Sequence, residues 1–208
     1  METLRFFNPY EEIRYTENLL PHWQQKGAVY FVTFRLGDAI PAHLRAEWKD
    51  EREVWLRLHP EPWNAETEQE YHRRFSSAIE RWLDAGHGSC VLGQIECARI
   101  VDDALRHFDG QRLALISSVV MSNHVHALLV QNPEHPLEDL LRSWKTFTAR
   151  SINRLLGRSG TFGNEAILIG LCGMRNIFEG YIRRNPEKAR LTTGEYILYE
   201  SDLAKQIE

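Results

Sequence analysis

The sequence lacks several features that define large classes of protein. It contains no apolar run approaching the roughly 20 residues that cross a bilayer, so we expect neither a transmembrane segment nor a membrane partner. Residues 1–9 lack the apolar core of a signal peptide. The three cysteines (Cys90, Cys97 and Cys172) are an odd number without metal-ligand spacing, which argues against a disulfide framework and favours the reducing cytoplasm.

The remaining composition is that of an ordinary globular protein. The 208 residues are 43 % apolar and 26 % charged, which suits a single domain spanning 1–208. The net charge of −4 conceals an uneven distribution, because residues 1–140 carry 14 basic and 22 acidic residues whereas residues 141–190 carry ten basic and three acidic ones. A basic segment on an acidic body is a candidate anion-binding surface, although solvated helix faces would give the same composition.

The hydrophobic periodicity predicts alternating strands and helices. Strands are expected at 27–36, 113–120 and 124–130, and helices at about 41–58, 65–83, 94–108 and 136–156. The first two helices form a hairpin inserted after the first strand, at about 38–90. Without it the order is strand, helix, strand, strand, helix, so we predict an α+β protein: a ferredoxin-like antiparallel sheet with helices packed on it. The apolar side of the last helix is predicted to be Leu137, Leu140, Leu141, Trp144, Phe147 and Ile152.

A pair of alternating histidines lies within the third strand. Because side chains alternate along a strand, His124 and His126 share one face while Val125 points to the other. Two imidazoles on one face can bind a divalent ion if a third ligand comes from elsewhere in the fold. Taken alone, the pattern equally describes two sheet histidines without a ligand role.

Blocks spread over nearly the whole chain carry a resemblance to a known family. The central block is Val119-Val-Met-Ser-Asn-His-Val-His-Ala-Leu-Leu-Val130. The others, in chain order, are Leu20-Pro-His-Trp-Gln24, Tyr30-Phe-Val-Thr-Phe-Arg-Leu36, Gly86-His-Gly-Ser-Cys90, Ala104-Leu-Arg-His-Phe-Asp-Gly110 and Tyr181-Ile-Arg-Arg-Asn-Pro-Glu-Lys-Ala-Arg-Leu191. Together they resemble the HUH-type single-tyrosine transposases, especially the REP-associated tyrosine transposases.

The resemblance implies a chemistry and a set of functional residues. His124 and His126 would hold Mg²⁺ or Mn²⁺, which polarises a scissile phosphate. A tyrosine on a later helix, within a DNA-binding region at about 136–191, would attack the phosphorus and form a phosphotyrosyl link. That helix usually supplies a further metal ligand. The partner would be single-stranded or hairpin DNA, bound by a monomer or homodimer, and the basic surface would comprise Arg142, Lys145, Arg150, Arg183, Arg184 and Lys188.

The chain departs from the family at the nucleophile. The family has there a run resembling Trp-Gln-Arg-x-Tyr-Phe-Asp-Arg, but residues 163–180 contain no tyrosine, and Ala166 and Ile167 occupy its place. Four glycines also make this segment a poor helix. Tyr181 is a weak substitute, because family members carry it together with the nucleophile and it is expected to pack the C-terminal helix.

A compensated frameshift would account for this departure. If the codons for residues 163–180 begin one base earlier, permitted codons spell the family run, with the tyrosine codon straddling Ala166 and Ile167. The frame then returns at Tyr181. The hypothesis, which covers either a sequencing error or a decayed gene, predicts that the polypeptide as written does not form the phosphotyrosyl link.

Two other functions are compatible with parts of the sequence. The chain could be a non-catalytic module that recognises hairpin DNA through its basic segment. It could also be a histidine-triad nucleotide hydrolase, which places alternating histidines on a strand. That class needs a third histidine where this chain has Leu128.

Overall fold

An antiparallel sheet lies at the centre of the protein, whose structure is a computed structural model describing residues 14–17, 21–24, 27–158, 167–171 and 182–206. Among these residues the sheet has five strands in the order β6-β3-β5-β4-β7. Their bounds are β3 (Val29–Arg35), β4 (Leu113–Val120), β5 (His124–Gln131), β6 (Ile167–Leu171) and β7 (Ile197–Glu200). Two short strands, β1 (Arg14–Glu17) and β2 (Pro21–Gln24), pair separately.

Helices and the C-terminal segment cover opposite faces of this sheet. Helices α4 (Ile95–Arg106) and α5 (Leu137–Leu155) pack on the face formed by Val125, Ala127 and Leu129 of β5. Residues 182–206, which include the short helix α6 (Asn185–Lys188), contribute Ile182 and Ala204 to the apolar cluster on the other face. Because β5 alternates, His124 and His126 point to this second face.

The helical insertion has an aromatic core of its own. Helix α1 (Ala42–Leu58) is followed by α2 (Ala65–Tyr71), a π-helical turn at His72–Ser76 and α3 (Ser77–Asp84). Trp55, only 3 % exposed, lies 5.7 Å from Phe75 and 5.4 Å from Tyr71 between ring centroids. Helix α2 begins at the N-cap Asn64, whose side chain accepts a hydrogen bond from the backbone NH of Thr67. The predicted hairpin therefore forms, with a π turn inside its second helix.

Most elements predicted from the sequence are present within a residue or two of their expected bounds. The α+β class, the antiparallel sheet and the helices packed on it are confirmed. Among the described residues, no helix is long and apolar enough to cross a membrane. The prediction for Phe147 was wrong, since its side chain is 54 % exposed. Thr148 takes the inward position at this turn of α5, which leaves Phe147 outside the buried stripe.

Candidate metal centre

The two histidines sit side by side on the central strand of the sheet. In the antiparallel register, His126 lies opposite Thr33 and His124 lies opposite Arg35, so all four side chains share one face. The two imidazole rings are 4.8 Å apart between centroids, and both residues are buried, at 1 % and 3 % exposure. The sequence prediction that the pair shares a face is therefore confirmed.

The neighbouring side chain of Asn123 determines which nitrogen of His124 carries the proton. Asn123 Oδ1 lies 2.8 Å from His124 Nδ1, and because an amide oxygen only accepts, Nδ1 must donate. The lone pair is thereby left on Nε2, which is buried and has no hydrogen-bond partner among the described residues. An unpaired buried nitrogen is costly to a fold, so this atom is a candidate metal ligand.

Two contacts fix the orientation of the His126 ring. Its Nδ1 lies 2.7 Å from the Thr33 hydroxyl, and its ring stacks on Phe31 at 5.2 Å between centroids. If Nδ1 donates to the hydroxyl oxygen, Nε2 has a free lone pair as in His124. Both histidines then have the arrangement usual for metal ligands, in which the second ring nitrogen is held by an oxygen.

A small cavity opens next to the histidine pair. Its volume is about 10 Å³, enough for one water-sized sphere. Helix α3 contributes Glu80, Leu83 and Asp84 to the walls, and α6 contributes Asn185 and Lys188. The helical insertion and the C-terminal segment therefore meet at the end of the sheet where β3 ends and β5 begins.

Burial keeps both imidazoles neutral. Desolvation lowers the pKa of His124 to about 3. Desolvation also holds the pKa of His126 well below 6.5, and the charges of His124 and Lys188 act in the same direction. A neutral imidazole is the form that binds a metal ion. At the mouth of the same cavity, burial raises the pKa of the Asp84 carboxyl, while the ammonium of Lys188 opposes that rise.

The described side chains provide only part of the ligand set that a divalent cation needs. Two buried, oriented imidazoles provide two ligands, but no group of three His, Cys, Asp or Glu side chains in the described part of the chain is arranged to hold a metal ion. The resemblance implies a further ligand from the nucleophile helix, expected between residues 160 and 181. Of that stretch the structure describes only the backbone of β6, which pairs with β3.

The expected nucleophile position lies mostly outside the described residues. Ala166 and Tyr181 are both outside them, and Ile167 is the first residue of β6. Leu128, where a histidine-triad hydrolase has its third histidine, is fully buried in the apolar cluster beside the pair. The described residues therefore give the histidine-triad alternative no third ligand at this position.

The predicted DNA-binding residues form two separate groups. Arg142, Lys145 and Arg150 are on α5, which packs on the face of the sheet opposite the histidines. Within this group Arg142 contacts Asp139 at 3.3 Å, and burial lowers the pKa of Lys145.

The second group belongs to the C-terminal segment, on the side of the histidines. Lys188 lines the cavity, whereas Arg183 contacts Glu200 of β7 at 2.6 Å and Arg184 is exposed. The single basic surface expected from the sequence is thus divided by the sheet.

Several residues of the site were not anticipated from the sequence. Asn123 and Thr33 orient the histidines, and Glu80 and Asp84 line the cavity. Asn123 adjoins the pair and could have been suspected. The other three lie far away in sequence, with Thr33 separated from His126 by 93 residues, so no local pattern points to them.

Comparisons with known proteins assign no relative to this chain. No protein-family model matches it, and neither a curated protein nor a solved structure does. The fold and the site define an α+β protein with a buried, oriented histidine pair on the central strand of an antiparallel sheet.

Proposed function

We propose that this chain is a DNA-binding protein of the HUH-type single-tyrosine transposase class, with a retained metal centre and impaired strand cleavage. The order of strands supports this proposal. Taken in chain order, β3, β4, β5 and β6 are connected as β-α-β-β-α-β and lie in the order β6-β3-β5-β4. This connection and strand order support the ferredoxin-like arrangement that we propose for the sheet, with β7 added at one edge.

One observation carries the functional proposal: the unpartnered, buried Nε2 of His124 beside His126 on the central strand. Buried polar atoms are usually hydrogen-bonded, so an unpartnered Nε2 next to a second imidazole favours a ligand role. Here Asn123 and Thr33 hold the Nδ1 atoms, so the Nε2 atoms are the ones available to Mn²⁺ or Mg²⁺. A bound divalent cation would supply charge that stabilises the developing negative charge on a phosphate oxygen.

The described residues supply part of the proposed role, namely two metal ligands and a positive charge at the cavity wall. His124 and His126 would hold the cation; the contact with Asn123 keeps His124 in its ligand tautomer, and the contact with Thr33 orients the ring of His126. Lys188, at the cavity wall, adds a positive charge that attracts a DNA phosphate. Because residues 163–180 contain no tyrosine, we infer that the chain does not form a phosphotyrosyl link.

Titration with Mn²⁺ tests the metal centre directly. Imidazole ligands suit Mn²⁺ better than Mg²⁺, so isothermal calorimetry with Mn²⁺ should show one site in the wild type. His124→Ala should weaken the binding at least tenfold, since it removes one of two imidazoles. His43→Ala, at an exposed histidine on α1, is the matched control and should bind as the wild type does. Absence of binding in the wild type, or unchanged binding by His124→Ala, would refute the metal centre.

Incubation with a labelled single-stranded hairpin oligonucleotide and Mn²⁺ tests the DNA chemistry. We expect retarded migration on a native gel and no protein-DNA adduct on a denaturing gel. An adduct would contradict the inferred loss of cleavage. A protein that binds hairpin DNA but not Mn²⁺ would instead be the non-catalytic hairpin-binding module. The bases of the gene over residues 163–180 test the frameshift hypothesis, which fails if the shifted frame does not encode the tyrosine-containing run.

A further inference from the structure

The outer surface of α5 exposes an aromatic ring among arginines. Phe147 is 54 % exposed, although large apolar side chains of this helix are otherwise mostly buried in the core. It lines a shallow concavity of about 560 Å³ together with Arg142, Arg150 and Arg154. Single exposed apolar side chains are common on protein surfaces, so the exposure of Phe147 carries weight only together with the arginines beside it.

The arginines follow the same helical stripe as the ring. Arg150 is three residues after Phe147 and Arg154 is seven, which places them on successive turns of one face of α5. Neither arginine makes an ion pair with a residue in the described part of the chain, whereas Arg142 contacts Asp139. Two uncompensated guanidinium groups beside an exposed ring form a surface that is both cationic and aromatic.

Single-stranded nucleic acid is the partner that complements both properties. Guanidinium groups bind phosphates, and an exposed aromatic ring provides a platform on which an unpaired base stacks. An apolar partner would leave the arginines desolvated without a counter-charge, and a duplex would offer no unpaired base to the ring. Residues 137–158 carry five basic and two acidic residues, so the charge of the helix also favours a polyanion.

We infer that Phe147 is a base-stacking residue and that Arg150 and Arg154 hold the phosphates of the same single strand. The inference rests on the proposed binding of single-stranded DNA, and it adds a contact region that is separate from the metal centre. Helix α5 packs on the face of the sheet opposite His124 and His126, so this surface does not reach the cavity. A bound strand would therefore contact the protein on two sides of the sheet.

Fluorescence anisotropy with a labelled 12-nucleotide thymidine strand tests this role. Stacking on a protein ring contributes about 1–3 kcal/mol per base, so Phe147→Ala should weaken binding about 5- to 150-fold. Phe147→Trp, which keeps a stacking platform, should restore it. Val54→Ala removes an apolar side chain of similar exposure from α1, and it should leave the affinity unchanged.

A strand of the same length that lacks bases separates stacking from electrostatics. The wild type and Phe147→Ala should bind this abasic strand equally, because no base is present to stack. Arg150→Gln and Arg154→Gln should weaken binding to both strands and reduce its salt dependence, with a slope lower by roughly 0.7 for each lost phosphate contact.

Two results would overturn the inference while leaving the proposed function intact. One is equal affinity of the wild type and Phe147→Ala for the thymidine strand. The other is an equal loss on the thymidine and abasic strands. Failure of the wild type to bind either strand would refute the proposed DNA binding itself. Mn²⁺ affinity should be unchanged in Phe147→Ala, and a loss there would show that the substitution disturbs the whole fold.

Discussion

At the scale of single residues, the histidine pair depends on the side chains that hold its Nδ1 atoms. The alternation of a strand is enough to predict that His124 and His126 share a face. It does not reveal which nitrogen of each ring is protonated. For His124 it is decided by the Asn123 oxygen, 2.8 Å from Nδ1, whereas the Thr33 hydroxyl, 2.7 Å from His126 Nδ1, can accept or donate.

Asn123→Ala should therefore impair the metal centre without removing a ligand. Loss of a residue that orients a ligand typically costs 10- to 100-fold in metal affinity, and we expect a loss in that range for Mn²⁺ by calorimetry. Asn123→Asp keeps an oxygen that accepts from His124 Nδ1 but places its second carboxylate oxygen against the His87 carbonyl, so it should recover only part of the affinity. If Asn123→Ala binds Mn²⁺ as the wild type does, with an unchanged melting temperature, the orienting role is wrong.

At the scale of elements, the loop between α3 and α4 holds Asn123 in place. The Asn123 side-chain NH2 donates to the carbonyl of His87 at 3.1 Å, and the Asp38 carboxylate accepts from the backbone NH of Ser89 at 2.7 Å. Gly88, between them, has φ +88°, and a Cβ there would overlap the backbone carbonyl of Asp38. Only glycine fits both the backbone angle and the space.

Gly88→Ala should consequently destabilise the protein more than a substitution at a neighbouring glycine. We expect the free energy of unfolding to fall by roughly 2–4 kcal/mol, from the left-handed backbone and the steric overlap together. Gly86 provides the control, because it has φ +68° and no atom near its Cβ position, so Gly86→Ala should cost only about 1–2 kcal/mol. Urea denaturation of both variants measures the difference, and equal losses would show that contact with Asp38 is unimportant.

The elements also show which parts of the fold can be predicted from local sequence patterns and which cannot. The helices and the three long strands were predictable because each has a strong period of its own, as in the buried stripe of α5. Strands β6 and β7 have five and four residues, and their partners are 141 and 81 residues away at the Tyr30–Leu171 and Ser118–Tyr199 pairs. Such short segments become strands only because a long strand offers them an edge, which no local pattern records.

At the scale of the whole molecule, the structure changes the interpretation of the charge distribution. The basic segment is not one surface. Arg142, Arg150 and Arg154 lie on α5, on one side of the sheet, and Lys188 lies by the histidine cavity on the other. The buried histidines also make the stability of the whole protein depend on pH, because the folded state keeps them neutral.

We expect the free energy of unfolding to decrease as the pH falls below about 6.5. The folded-state pKa values of His124 and His126 are lowered, so the unfolded chain binds more protons in acid, and each histidine destabilises the fold by about 1.4 kcal/mol per pH unit. Above about pH 6.5 this contribution vanishes. Around the cavity, the raised pKa of Asp84 opposes the trend in more acidic solution.

Urea denaturation in EDTA at pH 5, 6, 7 and 8 measures this dependence. The loss between pH 7 and pH 5 should be about 2 kcal/mol from His124, and His126 should add to it in the same direction. The double variant His124→Gln, His126→Gln removes both titrating groups and should show a much flatter profile. A profile as steep as that of the wild type would mean that other groups cause the dependence.

The sequence by itself determined the long elements, the shared face of the histidine pair and the absence of a tyrosine from residues 163–180. These are local properties, because periodicity and residue identity need no knowledge of distant contacts. Only the tertiary structure decided the ligand tautomers, the cavity walls, the exposure of Phe147 and the division of the basic segment by the sheet. Apart from the contact of Asn123 with the adjacent His124, each of these arises from contacts between segments far apart in the chain, such as Thr33 with His126 and α3 with α6, which form when strands pair and helices pack.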